Sequence, residues 1–353
     1  MNFMKRAVFY IKDKQLYHIG GSSGIKEYFP SDKLFSALVN FVSIMYEKDE
    51  FENILKKLKY SEISSMFFGI EILNLKNRKS KKIFFNQKPL YKTGNRQTTD
   101  RDLTILKKVK KINYISDDIL NKLLNSFDKD EDKFIYDINE NIIIQDKFAL
   151  SENDISHINI NKDKFESIKI IKRISSTNMV ENRFTGTSLD VFYNDFIEVN
   201  YAYLDNFLIK PFMYFNINNY FQEMKGLFNL MCDEGIGGHR SKGAGMFETF
   251  QVIDAGFEFP REGNYYMTIS SVFPQKDEID SIKSYALDDR NGFVYSNGST
   301  GIKKPYYRII KEGSIFEKNK VKGKILEILI YGLEHKVYLN GKAFLIGFGG
   351  KEI

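Results

Sequence analysis

The 353-residue sequence predicts an α+β architecture built from two ferredoxin-like units. Three observations carry that expectation. Strand-like and helix-like stretches are interspersed through both halves of the chain. Hairpin-type turns outnumber helical crossovers, which favours antiparallel over parallel pairing. At roughly 150 residues per domain, the length fits two domains. Hydrophobic residues make up 42% and charged residues 28%, enough to bury a core without covalent staples.

The elements follow in order. RAVFYIK, from Arg6 to Lys12, is the first strand, and a Gly/Ser cluster (Ile19 to Gly24) follows it. Pro30-Ser31-Asp32 is a helix start with Ser31 as N-cap. Leu34, Phe35, Leu38, Val42 and Met45 recur at helical spacing through Asp32 to Tyr46. Met66 to Leu73 is a strand, and Ser116 caps a helix carrying Ile119, Leu120, Leu123, Leu124 and Phe127. Short strands then alternate with Asn/Asp turns, so Lys76 to Thr177 reads as a mixed insertion projecting from the first unit. Phe192 to Tyr203 and Phe207 to Ile217 are strands. Asn218 or Asn219 caps a helix that runs into DEGIGGHRSKGAG (Asp233 to Gly245), and the strand MFETFQVI follows. These residues, 1–255, form the first unit. The second, 256–353, reads as a strand (Tyr265 to Phe273), a helix (Asp277 to Ala286), further strands, and a closing hairpin turning at Asn340-Gly341.

Composition excludes several classes. One cysteine, Cys232, rules out a disulfide framework and a Cys-rich zinc site, and fits a reducing cytoplasm. Four scattered histidines make a dedicated metal cluster improbable, so no metal and no cofactor are expected. No apolar run reaches the ~18 residues of a membrane helix, so no membrane partner is expected. The net charge of +6 conceals an asymmetry. Lys76 to Lys111 holds thirteen Lys or Arg against two Asp, whereas the rest of the chain is net acidic. Cations interleaved with Phe84, Phe85 and Tyr91 suit single-stranded RNA; the same run also suits a solvated arm.

The Gly-rich loop carries the most chemistry. Gly235, Gly237, Gly238, Gly243 and Gly245 stand beside His239, Arg240 and Lys242. Glycines permit positive φ and close approach, and successive N–H groups in such a loop can converge on an anion. The same composition also describes a plain turn between helix and strand. The nucleotide fingerprints GxxxxGK[ST] and GxGxxG both fail here, and they follow a strand and open a helix, the reverse of this order. His18 reads as a satisfied strand-end histidine or as a general base for RNA cleavage, and His239 as a phosphate contact or as that base.

Together, FPSDKLFSALVNF, DEGIGGHRSKGAGMFE, GFVYSNGS, KEGSIFE and HKVYLNGKAFLIGF resemble the fourth subunit of the type III-A CRISPR effector, the Csm complex. The loop alone is shared across the RAMP superfamily of CRISPR RNA-binding proteins. The resemblance covers most of the chain, missing mainly Asp128 to Thr177. It implies two ferredoxin-like (RRM-like) domains, a β-hairpin thumb insertion in the first, and a cytoplasmic, non-catalytic subunit that grips the 5′ handle of crRNA. Its partners would be the large polymerase-like subunit and the backbone RAMP subunit. The implied RNA-binding residues are Gly235, Ile236, Gly237, Gly238, His239, Arg240, Ser241, Lys242, Gly243, Ala244 and Gly245, with Ser31 and Lys33 at the first helix start and Asn182, Arg183 and Thr187 beyond the thumb. Amides of Gly237, Gly238 and Gly243 would cradle phosphates neutralised by Arg240 and Lys242. The competing reading is a metal-independent RAMP endoribonuclease with His18 or His239 as base.

Overall fold

The computed structural model describes residues 4–21, 24–93, 107, 109–156, 158, 160, 162–181, 184–185, 188–255, 262–294, 301–317 and 321–350. The principal elements of the first part are β1 (Lys5–Tyr10), β2 (Gln15–Tyr17), α1 (Ser31–Met45), α2 (Lys48–Tyr60), β3 (Phe67–Asn74), β4 (Ser80–Gln87), β5 (Tyr114–Ser116), α3 (Asp117–Asn125), β6 (Ile142–Ile144), β7 (Phe148–Leu150), β8 (Ile171–Glu181), β9 (Ser188–Val199), β10 (Phe207–Asn218), α4 (Met224–Glu234) and β11 (Thr249–Asp254).

β1 lies inside the largest sheet because Ala7, Val8 and Phe9 are all inaccessible to solvent, so both faces of the strand are covered. It pairs antiparallel with β10 on one edge (Val8 opposite Tyr214) and with β11 on the other (Val8 opposite Gln251). The sheet runs β6-β7-β5-β4-β3-β10-β1-β11, with Glu62–Ile63 and Ala202–Leu204 also on β10. The β7–β5 ladder is parallel and the rest are antiparallel.

α1 buries Leu34, Phe35, Leu38, Phe41 and Val42, worth roughly 1.5–3 kcal/mol for each fully buried side chain. Its N-cap is Pro30, not Ser31. The fixed φ of proline sets the entry, and Ser31 becomes the first helical residue, its N–H donating to Ser65 Oγ (2.9 Å). α4 likewise starts later than expected, with Glu223 as N-cap, because β10 continues through Asn218. α3 begins as expected: Ser116 Oγ accepts from the Ile119 N–H at 3.3 Å. α2 has no counterpart in the sequence reading.

The insertion expected from Lys76 is corrected. β4 pairs with β3 in the largest sheet (Ile70 opposite Ile83), and its Phe85 is inaccessible. β5, β6, β7 and α3 extend the same core through Ile115, Leu120, Ile144 and Phe148. What leaves this body is the β8–β9 hairpin. Its outer part carries Met179, Phe184, Val191 and Tyr193 exposed, and its base pairs with β2 (Ile197 opposite Tyr17).

The second part contains β12 (Tyr265–Thr268), β13 (Ile282–Ser284), β14 (Leu287–Arg290), β15 (Tyr307–Ile310), β16 (Ile315–Phe316), β17 (Gly323–Ile328), β18 (Val337–Lys342) and β19 (Leu345–Phe348). The expected helix over Asp277 to Ala286 is a short 3₁₀ turn, Lys276–Ser281, that gives way to β13. The Asn340-Gly341 pair is not a turn: it lies inside β18, opposite Ile325 and Lys324 of β17. Gly341 is required there for proximity, since a Cβ would stand 2.4 Å from Phe273 N, whose N–H donates to the Gly341 carbonyl (3.0 Å). Met267, Ile315, Ile346 and Phe348 belong to the same hydrophobic cluster as the large sheet, so the two parts share one core.

Candidate nucleic-acid interface

The Gly-rich loop follows α4 and is held against the segment around β2. Gly235 ends the helix at φ +69°, with its N–H donating to the Met231 carbonyl (3.1 Å). Ile236, buried, then exchanges backbone contact with Gly245 (N–H to carbonyl, 3.0 Å). On the far side the Gly245 N–H donates to Leu16 O (2.7 Å) and the Gly238 N–H to His18 O (2.8 Å). Gln15 Nε2 donates to the Gly243 carbonyl (2.8 Å). The chain from Gln15 to His18 therefore has the β8–β9 hairpin on one edge and the loop on the other.

Close approach explains the glycine at 245. It sits at φ +80°, and a Cβ there would fall 2.0 Å from Ile236 O. Between the anchors, His239 adopts left-handed backbone (φ 59°) and opens a 3₁₀ turn, Arg240–Lys242, closed by Gly243 at φ +80°. Ser241, Lys242 and Gly243 are exposed. Arg240 is 3.8 Å from Glu234. The loop thus presents Ser241 and Lys242 outward on a closed base, with Arg240 half-buried beside Glu234.

Three rings meet beside the tip. His18 and His239 are perpendicular with centroids 4.7 Å apart, and Phe196 of β9 is 5.8 Å from the first and 5.3 Å from the second. His18 Nδ1 lies 2.8 Å from the Asp195 carbonyl. A carbonyl only accepts, so Nδ1 carries the proton when this ring is neutral and Nε2 keeps its lone pair. Burial pushes the His239 imidazole below its usual value, and the His18 and Lys242 charges add to that.

The expected amide cradle is corrected at two of its three glycines, Gly238 and Gly243. The Gly238 N–H is used by His18 O and the Gly243 N–H by Arg240 O (2.9 Å), so neither is open to a phosphate. Ser31 is also withdrawn: it is inaccessible, its N–H bound to Ser65 and its Oγ accepting from the Ser271 N–H (2.9 Å). Lys33 is brought to the site, its ammonium donating to the Gly20 carbonyl two residues past His18. Burial lowers that amine to about 8, with Asp32 opposing the shift and Arg290 and Lys26 adding to it. Asn182, Arg183 and Thr187 lie outside the described residues.

Residues 76–93 do not form an open stacking surface. Phe85 is buried in the core, Phe84 packs edge-on against Phe212 and Tyr214, and the Tyr91 hydroxyl donates to Asp132 (2.7 Å). Gln15, Asp195 and Phe196 are the site residues that the sequence did not point to. They come from strands whose pairing with the loop spans more than 200 residues in the first case, and no local motif marks them.

Comparison with known proteins places this arrangement. Residues 261–348 match the family model described as the CRISPR Csm4 C-terminal domain. A "CRISPR system Cms protein Csm4" of Methanocaldococcus jannaschii is 29% identical over 385 residues, covering 99% of this chain and 98% of the relative. A protein of the same description from Thermococcus onnurineus is 35% identical over 115 residues, covering 33% of this chain and 35% of the relative. Among solved structures, a chain of a Csm3–Csm4 subcomplex of the type III-A CRISPR-Cas interference complex matches at TM-score 0.65 and 22% identity, over 98% of this chain and 99% of that one. A chain of a Csm1–Csm4 cassette in complex with pppApA matches at TM-score 0.54 and 17% identity, over 99% of both. The α+β fold, with its glycine loop clamped at the base of a long hairpin, is similar to that of these solved chains. Over its whole length the chain is similar to a Csm4 protein, and residues 261–348 match the Csm4 C-terminal domain.

Proposed function

We propose that this chain grips the 5′ handle of crRNA and bridges the large polymerase-like subunit to the backbone RAMP subunit, without catalysing a reaction. The observation that carries the reading is the Arg240–Lys242 tip, projected from a base fixed at Gly238 and Gly245 beside the hairpin. A rigid cationic tip next to Phe196, His239 and His18 combines phosphate neutralisation with ring surfaces for unstacked bases. Side chains of Arg240, Ser241 and Lys242, rather than the amides of Gly238 and Gly243, make the phosphate contacts. Lys33 adds charge at the Gly20 edge.

The ferredoxin-like reading of the first unit, 1–255, draws support from strand order. β1, α1, β3, β10, α4 and β11 follow a strand-helix-strand-strand-helix-strand sequence, and the sheet arranges those strands β11-β1-β10-β3. The β8–β9 hairpin serves as the thumb, and residues 256–353 form the second unit, whose described residues hold strands and a 3₁₀ turn in place of the expected ferredoxin-like helix. Both bridging contacts are in keeping with the relatives crystallised with Csm3 and with Csm1. The protein works in the cytoplasm, with crRNA and these two subunits as partners and with no metal or cofactor.

The test is binding of handle RNA by the full chain and by its Arg240→Ala/Lys242→Ala variant across a salt series. Two lost phosphate contacts weaken binding and flatten the slope of log K against log salt by ~1.4. Unchanged affinity and slope would remove the loop from the RNA site.

A further inference from the structure

A cleft of about 980 Å³ opens where the chain after β4 meets β13, and it shares no lining residue with the Gly-rich loop. Four lysines line it: Lys88, Lys92 and Lys110 from the first part and Lys283 from the second. Two of them are matched by protein carboxylates. Lys283 pairs with Asp132 (2.7 Å) and Glu317 (3.3 Å), and Lys92 stands 4.0 Å from the same Asp132. The other two differ. Among the described residues, neither Lys88 nor Lys110 has a carboxylate within ion-pair distance.

Lys88 is the informative group. Its side chain is half-buried, and its Nζ donates to the carbonyl of Val109 at 2.5 Å. Burial alone pushes the amine down to about 8. A cation held in this way costs stability that an apolar side chain of similar length would not. A bound anion would supply both the missing countercharge and acceptors for the remaining N–H groups. Tyr285, 57% exposed, lines the same cleft, as do Pro89 and Leu90.

We propose that this cleft is a second nucleotide site, in which Lys88 and Lys110 take the phosphate and Tyr285 offers its ring to the base. The cleft is large enough for a nucleotide, since small-ligand sites span ~300–1,000 Å³. A ring beside unmatched ammonium groups selects a planar base joined to a phosphate over an acidic peptide, which would use the cations and leave the ring idle. A free nucleotide and the terminal nucleotide of an RNA strand share this chemistry.

The experiment is calorimetric titration of the full chain with AMP and, separately, with a 5′-phosphorylated tetranucleotide RNA. AMP binding assigns the site to free nucleotides; binding of the tetranucleotide alone assigns it to a strand end; either upholds the proposal. Lys88→Met should weaken the bound probe at least tenfold with an unchanged or raised Tm, and Lys110→Ala, at an exposed position, should weaken it severalfold. No binding of either probe to the wild-type chain, equal binding by both variants, or displacement by a hexaglutamate peptide as readily as by AMP would overturn it. The loop is tested on handle RNA and the cleft on AMP, so either assignment can fail alone.

Discussion

Arg290 and Asp32 form a two-point ion pair across the seam between the two parts of the chain: Nε to Oδ2 is 2.9 Å and Nη2 to Oδ1 is 3.1 Å, with both side chains 2% exposed. Asp32 lies in the first turn of α1, where the helix dipole favours a carboxylate. Arg290 also contacts Asp288 and Ser271. Next to them the Glu312 carboxylate accepts from Tyr28 (2.7 Å), Ser65 and Ser271 (2.8 Å). This polar seam is why Ser31 cannot face RNA. The start of α1 is spent on joining the second part to the first.

Removing one partner strands the other. Arg290→Leu leaves a buried carboxylate without its cation and should cost about 3–5 kcal/mol, measured by urea unfolding at pH 7. Arg290→Leu/Asp32→Asn should recover most of that loss. Burial alone would raise the Asp32 carboxyl, and Arg290 outweighs it and holds the group below its ordinary value. Its contribution is therefore present above the unfolded value of ~3.9 and lost as pH falls through the lower folded one. A single variant within about 1 kcal/mol of wild type would contradict this account.

Two glycines of the same loop, both at φ +80°, should respond differently to alanine. At Gly243 a Cβ meets nothing within 4 Å, so only the left-handed backbone is strained, at about 1–2 kcal/mol. At Gly245 it meets backbone at 2.0 Å, and the contacts to Leu16 and Ile236 must open. Gly245→Ala should lower Tm clearly more than Gly243→Ala and should also weaken handle RNA. Equal shifts in Tm would show that the loop base is not rigid.

Much of this was legible in the sequence where the signal is local. The apolar runs of β1, β3 and β10, the α1 periodicity and the Ser116 cap each depend on neighbours within a few residues. The Gly-rich loop stood out for the same reason. What could not be read is long-range. The amides of Gly238 and Gly245 are claimed by His18 and Leu16, more than 200 residues away. No local motif marks Asp288, yet it pairs with Lys26 and Arg290 in the seam. Lys81 and Lys82 suggested a solvated arm, but they stay half-buried near the start of β4, whose Ile83 and Phe85 join the core. Asn340-Gly341 carries a turn signature for a glycine whose use is the close approach of Phe273.

Lys88, which has no carboxylate partner among the described residues, predicts a pH signature independent of any ligand. The folded chain gives up this proton near pH 8, whereas the unfolded chain holds it to ~10.4. The unfolded state therefore binds more protons between those values, and stability rises with pH across that window. Below about pH 8 the full cost of the buried cation is present. Lys88→Met should stabilise the chain at pH 7 by on the order of 1–3 kcal/mol, discounted for partial exposure, and by less at pH 10. Urea midpoints at the two pH values check this, and a destabilised Lys88→Met at pH 7 would refute it.

The histidine pair allows the non-catalytic reading to be tested against a nuclease. Metal-independent cleavage of RNA by two imidazoles needs a base and an acid placed on opposite sides of the reacting phosphate, each within ~3 Å of its proton. His18 and His239 are instead in edge-to-face contact at 4.7 Å, leaving no room for a phosphate between them. Nor does the loop depend on the His18 side chain, since the carbonyl of His18 is what binds Gly238. Incubation of the full chain with repeat RNA in chelator should therefore yield no specific product. His18→Ala should weaken handle RNA binding by about 1–3 kcal/mol, as expected for the loss of one stacking ring, and change no product. Specific cleavage that disappears in His18→Ala would assign the pair to catalysis and overturn the reading.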